Sequence, residues 1–387
     1  MKEIMIITSY YPPEIGAASN RIAHMAKGLN EIGFVTSVVT PLPNYPTGKI
    51  FKDYRGKFIQ KSQEEGGKVY RLWIFASNSK NKIHRFLAMV SYSLSLIWFF
   101  IFHKIPKTVI VQSPPLLVAF TCMLFLKSRK RKLVLNVSDL WPSAGLELGV
   151  FKENFSYRLL EKIEKFNYKR ANLVLGQSQE ILDHVLSIIP NKETFLYRNY
   201  PDFSPPDIQS YERETNKITV VYAGLLGVAQ GVLKLCEELD FSNIELHIYG
   251  SGAEEKQILS FIESHNNLPI FYHGQVERTM LHVELLKYDV AIIPLLNRIY
   301  GSVPSKIFEY ARLGLPVIYF GGGEGEALIR KYDLGWVVDV GNYRMLNELF
   351  KNLEKYPFNL NKRKNIQEVS LEKFHFRTQL LELKNTI

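Results

Sequence analysis

Cysteine is nearly absent: the chain of 387 residues has 2, Cys122 and Cys236, far apart and each within an apolar segment. Neither a disulfide framework nor a cysteine-based metal site can be built from them, and the composition is most simply that of a cytosolic protein. Gly-x-Gly-x-x-Gly is missing after the first apolar run, where the chain reads TSYYPPEIGAASNR with Gly16 alone. The second run closes on Thr40 and Pro41 rather than on an acid, so a dinucleotide fingerprint is excluded. No Gly-x-x-x-x-Gly-Lys-Ser/Thr occurs, which excludes a P-loop ATPase. Asp-x-Asp is absent too, and no His or Cys spacing suggests a metal site. Met1 to Ser9 (MKEIMIITS) has too short an apolar stretch for a signal peptide, carries Glu3 inside it, and reads as a first buried strand.

What is present is the material of a folded protein. Hydrophobic residues make up 46%, aromatics 13% and charged residues 22%, which excludes disorder, and the length suits two or three domains. The 48 Lys and Arg against 38 Asp and Glu give a net +10, which calls for an anionic partner without choosing among nucleic acid, phospholipid and a phosphorylated small molecule.

Short β-branched runs alternate with helix-patterned stretches, the order of parallel α/β sheets. Six runs, at Ile4 to Thr8, Val35 to Thr40, Val69 to Phe75, Thr108 to Gln112, Leu133 to Val137 and Leu173 to Gly176, predict one sheet over residues 1–198. The Pro-, Asp-, Ser- and Asn-rich stretch 199–217 reads as a linker. Six more runs, at Ile218 to Ala223, Ile244 to Tyr249, Ile270 to His273, Val290 to Pro294, Val317 to Phe320 and Trp336 to Val338, predict a second domain over 218–359. Residues 360–387, dense in Lys and Glu at helical spacing, predict one closing helix.

Phe86 to Phe102 is a charge-free run of 17 residues. As a helix it extends about 25 Å against a hydrocarbon core of about 30 Å. Spanning a bilayer would put the strand at Thr108 and all later ones across the membrane from the first three, and Leu116 to Leu126 is too short for a return. A buried or surface-dipping helix is therefore expected. The cluster Lys127, Arg129, Lys130, Arg131 and Lys132 admits two readings, a patch facing anionic lipid and a solvated turn.

Gly16, followed by Ala17, Ala18 and Ser19 at a helix start, offers free N–H groups to an anion, or a plain tight turn. The stronger signal is VPSKIFEYARLGLPVIYFGGGEG. Pro304 and Ser305 read as a helix start, which puts Lys306 in the first turn for a diphosphate and Glu309 near the same end for a ribose diol; the bland reading is an amphipathic helix with both solvated. Asp139, in NVSDLWP, is a candidate to orient an acceptor hydroxyl, or a cap of the following helix. His184 and His273 read as structural.

YYPPEIGAASNR, PLPNYPTGKIFKDYRGK, NVSDLWP, YAGLLGVAQG, IYGSG, YHGQV and VPSKIFEYARLGLPVI occur in the order found in family-4 retaining glycosyltransferases. The chain resembles that family over nearly its whole length, and especially its fucosamine-transferase subgroup in bacterial O-antigen and capsule synthesis. The resemblance implies the GT-B fold, α/β with two Rossmann-like domains facing a central cleft, the first for acceptor and the second for the nucleotide sugar. It implies Gly227, Gly250 and Gly252 near the nucleotide, Gln275 and Val276 at the uracil edge, and Ser305 and Lys306 on the diphosphate, with Gly16 approaching it. Glu309 takes the ribose. The implied partners are a UDP-sugar, a polyprenyl-diphosphate-linked saccharide acceptor and the inner face of the cytoplasmic membrane, to which the protein attaches peripherally; no nucleic acid and no cofactor are implied.

Two departures stand out. Family members carry a Glu eight residues before the ribose Glu, where this chain has Gly301, and many have a cation where it has Gly227 to Gly231. Arg21, Arg198 and Arg298 are candidates for the missing charge, and Gly301 is expected to open space beside the sugar. Rival classes are a nonhydrolysing sugar-nucleotide epimerase, for which no acid/base pair is assignable, a nucleic-acid-binding module and a non-catalytic membrane-associated scaffold.

Overall fold

The computed structural model describes residues 2–79, 81–147, 149, 152–208, 217–296, 300–353 and 360–387. They form two compact units. The first comprises Met1–Asn199, Ile299–Ser302 and Arg377–Ile387, the second Tyr200–Arg298 and Val303–Phe376.

In the first unit the elements run β1 (Glu3–Ile7), α1 (Ala17–Glu31), β2 (Val35–Pro41), β3 (Ile59–Glu64), β4 (Gly67–Leu72), α2 (Lys82–Phe102), β5 (Thr108–Ser113), α3 (Leu116–Phe125), β6 (Lys132–Val137), α4 (Ser143–Glu147), α5 (Phe155–Arg170), β7 (Leu173–Gly176), α6 (Gln179–Ile188) and β8 (Glu193–Leu196). The sheet order is β3-β4-β2-β1-β5-β6-β7-β8, parallel except for β3 against β4. Central strands such as EIMII in β1 are near-continuous apolar runs because helices cover both faces. Ile6 lies opposite Val38 of β2 on one side and Ile110 of β5 on the other. Strand order reverses across β1 and β5, so the loops after these two strands flank a switch point, where α/β sheets bind ligands.

The second unit runs β9 (Ile218–Ala223), α7 (Val232–Glu238), β10 (Ile244–Tyr249), α8 (Glu255–Ser264), β11 (Ile270–Gly274), α9 (Arg278–Leu285), β12 (Val290–Pro294), α10 (Lys306–Arg312), β13 (Val317–Phe320), α11 (Glu324–Lys331), β14 (Gly335–Val338), α12 (Tyr343–Leu353) and α13 (Leu360–Lys373). Its order is β11-β10-β9-β12-β13-β14, all parallel, with the reversal between β9 and β12.

Three expectations are corrected. The first sheet has eight strands among the described residues, not six, because β3 (IQKSQE) is a half-polar antiparallel edge and β8 (ETFL) a short one, neither with a buried run to announce it. Tyr200 and Phe203, at the start of the expected linker, pack on the second unit's core, and Ile208 meets Gly314 there. The tail is two helices, α13 and α14 (Phe376–Thr386). Phe374 and Phe376 are both buried two residues apart, an offset that one helical face cannot supply. α14 belongs to the first unit, where the Gln379 amide bonds both the N–H and the C=O of Arg198 at 2.8 and 3.0 Å.

α2 has two unlike faces. Tyr92, Leu96 and Phe99 enter the first core, and the Tyr92 hydroxyl donates to the carbonyls of Thr8 (2.9 Å) and Val39 (3.2 Å) at the ends of β1 and β2. Leu94 and Ile101 point away, 61% and 69% exposed. Tyr92→Phe, which strips a donor from buried carbonyls, should cost about 1 to 3 kcal/mol in urea unfolding. Leu94→Ala should stay within about 0.5 kcal/mol, and an equal loss in both would contradict this placement of the helix.

Candidate functional site

In the second unit, backbone joins three strand-end loops at the switch point. Gly224 N–H donates to Tyr249 C=O (2.9 Å), Leu226 N–H to Ser251 C=O (2.9 Å) and Gly250 N–H to Gly274 C=O (2.7 Å). Gly250 sits at φ +130°, and a methyl there would lie 1.8 Å from the Gly224 oxygen. On Gly252 it would lie 2.4 Å from the Leu226 oxygen. These glycines of YAGLLG and IYGSG exist so that backbones can touch. Gly231, left-handed at φ +64°, abuts Leu296 of the loop after β12, and Gly227 faces the Gln230 side chain. Gln275 is exposed and accepts from Ser251 Oγ at 3.4 Å, while Val276 packs on the core beneath. Tyr222 and Tyr249 are buried, the latter hydrogen-bonded to Tyr288 at 2.7 Å, so both serve their strands.

α10 begins at Lys306, directly after the exposed Ser305, as the Pro-Ser signal predicts. The lysine runs across Gly224: a methyl on that glycine would meet Lys306 Cε at 2.7 Å and Nζ at 3.2 Å. Gly224 is therefore a site residue that the motif reading missed. The ammonium lies 5.6 Å from the Tyr310 ring centroid, and among the described residues no carboxylate oxygen comes within 4 Å of it. Burial lowers its pKa, Glu309 opposes that, and Arg278 adds to it.

Glu309, one turn on, is fixed by two groups that sequence reasoning also missed. Its Oε1 accepts from Arg278 Nε at 3.2 Å and meets His282 Nε2 at 2.8 Å, both on α9. Burial opposes ionisation, but the His282 hydrogen bond, Lys306 and Arg278 outweigh it and bring the carboxyl down to about 2. Oε2 makes no hydrogen bond among the described residues, which leaves one acceptor edge for a diol. The only signal for Arg278 and His282 was their i, i+4 spacing after a strand.

The first unit gathers its own candidates at strand ends. Gly16 opens α1 with no side-chain cap, its first N–H groups left for an anion. Buried Glu14 Oε1 accepts the N–H groups of Asn44 (2.7 Å) and Tyr45 (2.8 Å), which ties the YYPPEIG block to the NYPTGK block. Burial raises its pKa against those bonds. Asp139 is half-buried, accepts from Ser138 Oγ at 3.2 Å and caps no helix, since α4 starts at Ser143. Arg21 stands within electrostatic range of Asp139; burial lowers its pKa and Asp139 opposes. Its Nη1 donates to Gln177 Oε1 at 3.1 Å, and its buried Nε has no partner among the described residues. Gln177, absent from the motif reading, also takes Asn199 Nδ2 on Oε1 at 3.0 Å, while Arg198 Nη1 reaches its carbonyl at 3.5 Å. Arg298 lies outside the described residues.

Gly301 departs from expectation. A methyl there would meet Ile181 Cγ1 at 2.9 Å and Leu140 Cδ1 at 3.0 Å, at φ +82°, so the glycine fits a filled place rather than opening one. Its carbonyl accepts from Ser178 Oγ (2.7 Å) and its N–H donates to Glu180 Oε2 (2.9 Å). His184 pairs with Glu164 at 3.1 Å, and His273 meets His247 at 3.0 Å and stacks on Tyr249, both structural.

Two α/β units, one with a lysine laid across a glycine strand end at its switch point, make a two-Rossmann architecture with a ligand site at strand ends. Residues 204–371 match the family "Glycosyl transferases group 1" and residues 16–194 the family "Glycosyl transferase 4-like domain". Together these cover most of the chain, which joins a glycosyltransferase 4-like domain to a glycosyltransferase group 1 domain and is a glycosyltransferase of GT-B fold. The whole chain superposes on sucrose-phosphate synthase from Thermosynechococcus elongatus, covering 98% of that protein at 13% identity and TM-score 0.77. It superposes likewise on a variant of S. aureus TarM solved with fondaparinux, α-GlcNAc-glycerol and UDP (99%, 14%, 0.67). Anabaena HepE in complex with UDP-glucose gives the same three values, 99%, 14% and 0.67. No curated protein matches the sequence.

Glu309 should stabilise the second unit fully above its ordinary value of 4.5, and that contribution should vanish as pH falls toward about 2. Thermal melts of wild type and Glu309→Gln should differ most near neutrality and converge in acid. A gap that persists or widens in acid would contradict the low carboxyl pKa.

Proposed function

We propose that the chain transfers an N-acetylated amino sugar, of which 6-deoxy N-acetylfucosamine is one form, from its UDP derivative to a polyprenyl-diphosphate-linked saccharide during bacterial surface-polysaccharide synthesis, with retention at the anomeric carbon. The observation that carries it is the Lys306 ammonium, partly buried at the β9–β12 switch point with no carboxylate within 4 Å among the described residues. Such a charge asks for an anion. A unit pair at 4 Å is worth about 4 kcal/mol at an effective dielectric of 20. TarM and HepE, of the same fold, were solved with UDP or UDP-glucose, which supports a uridine diphosphate leaving group.

In the reaction, the bond between the anomeric carbon and the diphosphate oxygen breaks as the acceptor oxygen bonds the same carbon. Negative charge grows on the leaving phosphate, where Lys306 stabilises it in advance. Among the described residues, no group of three or more His, Cys, Asp or Glu is placed to hold an ion, so this charge compensation is assigned to Lys306 and nearby Arg278. Retention rests on the family resemblance. With no enzymatic nucleophile assigned, the acceptor proton passes to the leaving phosphate on the same face, and Asp139 orients the acceptor hydroxyl.

The donor follows from Gly301. Where related enzymes have a Glu, residue 301 carries no side chain and the Glu180 carboxylate beside it is engaged by the Gly301 N–H, and a buried sugar hydroxyl left unpaired costs about 1 to 3 kcal/mol. A hexose rich in hydroxyls suffers more than a 6-deoxy amino sugar. Measured in EDTA on one lipid-linked acceptor, kcat/KM should therefore be higher for UDP-N-acetylfucosamine than for UDP-glucose. Equal or better use of UDP-glucose would overturn the donor assignment, and Mg²⁺-reversible loss in EDTA would overturn the charge assignment. Interconversion of UDP-sugars without acceptor would point to an epimerase.

A further inference from the structure

Two glutamines hold one serine in the first unit. Gln112 lies near the end of β5 and Gln177 directly follows β7, the two neighbours of β6; Ser138 stands directly after β6, just before Asp139. Both glutamines and the serine are buried, as is Asn136, which sits opposite Gln112 in register. Elsewhere these strands bury apolar side chains, such as Ile110 opposite Val134. Amides placed in such a sheet cost free energy unless each is partnered, and once partnered they are rigid.

The partners fix the direction of each bond. Asn136 Nδ2 donates to Gln112 Oε1 at 2.7 Å, which leaves Gln112 Nε2 to donate to the Ser113 carbonyl (3.1 Å) and to Ser138 Oγ (2.9 Å). Reversing the Gln112 amide would set its oxygen against the Ser113 oxygen at that same short distance, so the orientation is not interchangeable. The Ser113 carbonyl also accepts the Ser138 N–H at 3.0 Å, and its two lone pairs are then taken. Ser138 Oγ lies 3.3 Å from that carbonyl and 3.2 Å from Asp139 Oδ2. With the carbonyl filled and the amide donating toward the serine, the hydroxyl proton has one destination, Asp139 Oδ2. The main chain is held as well: Gln177 Oε1 accepts from Arg21 Nη1 (3.1 Å) and Asn199 Nδ2 (3.0 Å), so its Nε2 turns to the Ser138 carbonyl. Asp139 Oδ1 makes no hydrogen bond among the described residues.

We propose that Ser138 is a positioning residue for sugar transfer: its hydroxyl, aimed by the Asn136–Gln112 chain, occupies Asp139 Oδ2, so that Oδ1 alone meets the acceptor hydroxyl. This role rests on the reading of Asp139 as the group that orients that hydroxyl, and it supplies the device that selects one of the two carboxylate oxygens. A carboxylate free to rotate presents either oxygen, and a reacting atom misplaced by about 1 Å loses about a hundredfold in rate. Ser138 acts through Asp139, and its proton stays on the serine throughout.

The test is a double-mutant cycle in steady-state kinetics on one lipid-linked acceptor, with whichever UDP-sugar the full-length enzyme turns over fastest. Ser138→Ala should lower kcat about tenfold with KM for the UDP-sugar unchanged, and Asp139→Ala about a hundredfold. In the Asp139→Ala background, Ser138→Ala should cost nothing further, because no carboxylate remains to be aimed. Ser138→Cys, which keeps the shape of the side chain and donates weakly, should fall between serine and alanine at an unchanged melting temperature, and it takes the place of alanine in the cycle if that variant does not fold. Full activity in Asp139→Ala would remove the reading of Asp139 and the role of Ser138 with it. An impaired Asp139→Ala enzyme, combined with wild-type kcat in the Ser138 variants or with an equal further loss in the double variant, would leave Asp139 in place and overturn the role of Ser138 alone.

Discussion

The second unit depends on the contact between the Gly224 carbonyl and Gly250. Parallel strands deliver their loops side by side at the carboxyl ends, and those loops can meet only if no Cβ separates them. A methyl on Gly250 would lie 1.8 Å from that oxygen, so the two backbones occupy space that any other residue would claim. With the loops joined this closely, Gly224 presents a bare backbone surface, and Lys306 crosses it from the start of α10. The same glycine that closes the sheet end thus leaves room for the cation.

Charge is distributed around that cation in an ordered way. Glu309 is near enough to influence Lys306, yet its Oε1 is engaged by Arg278 and His282 instead. The carboxylate is thereby satisfied without neutralising the ammonium, and the lysine keeps its appetite for an external anion. In the first unit a neutral residue does the holding, as the Gln177 amide oxygen accepts from Arg21 and its main-chain carbonyl from Arg198. The second unit thus prepares positive charge at a strand end, as the proposed leaving group, which becomes more negative, requires.

Much of this was legible in the sequence. Buried parallel strands are continuous apolar runs, so all six strands of the second sheet could be located, and the Pro-Ser pair marked the start of α10. β3 was invisible because an antiparallel edge with polar residues on both faces has no apolar run. The clasp on Glu309 was invisible because Arg278 lies 31 residues upstream, and only the fold brings the two together. Gly301 misled for a related reason: the missing Glu could be read, but the Leu140 and Ile181 side chains that fill its place come from distant sequence. Local pattern reports which face is buried; it does not report which neighbour fills the space.

The central claim is that Lys306 holds a diphosphate, and calorimetric titration of wild type and Lys306→Ala with UDP and with uridine tests it most directly. The account predicts that the substitution weakens UDP binding by about tenfold or more, the scale of one charge-assisted contact, and leaves uridine binding unchanged. UDP affinity equal in the two proteins, or an equal loss for UDP and uridine, would contradict it.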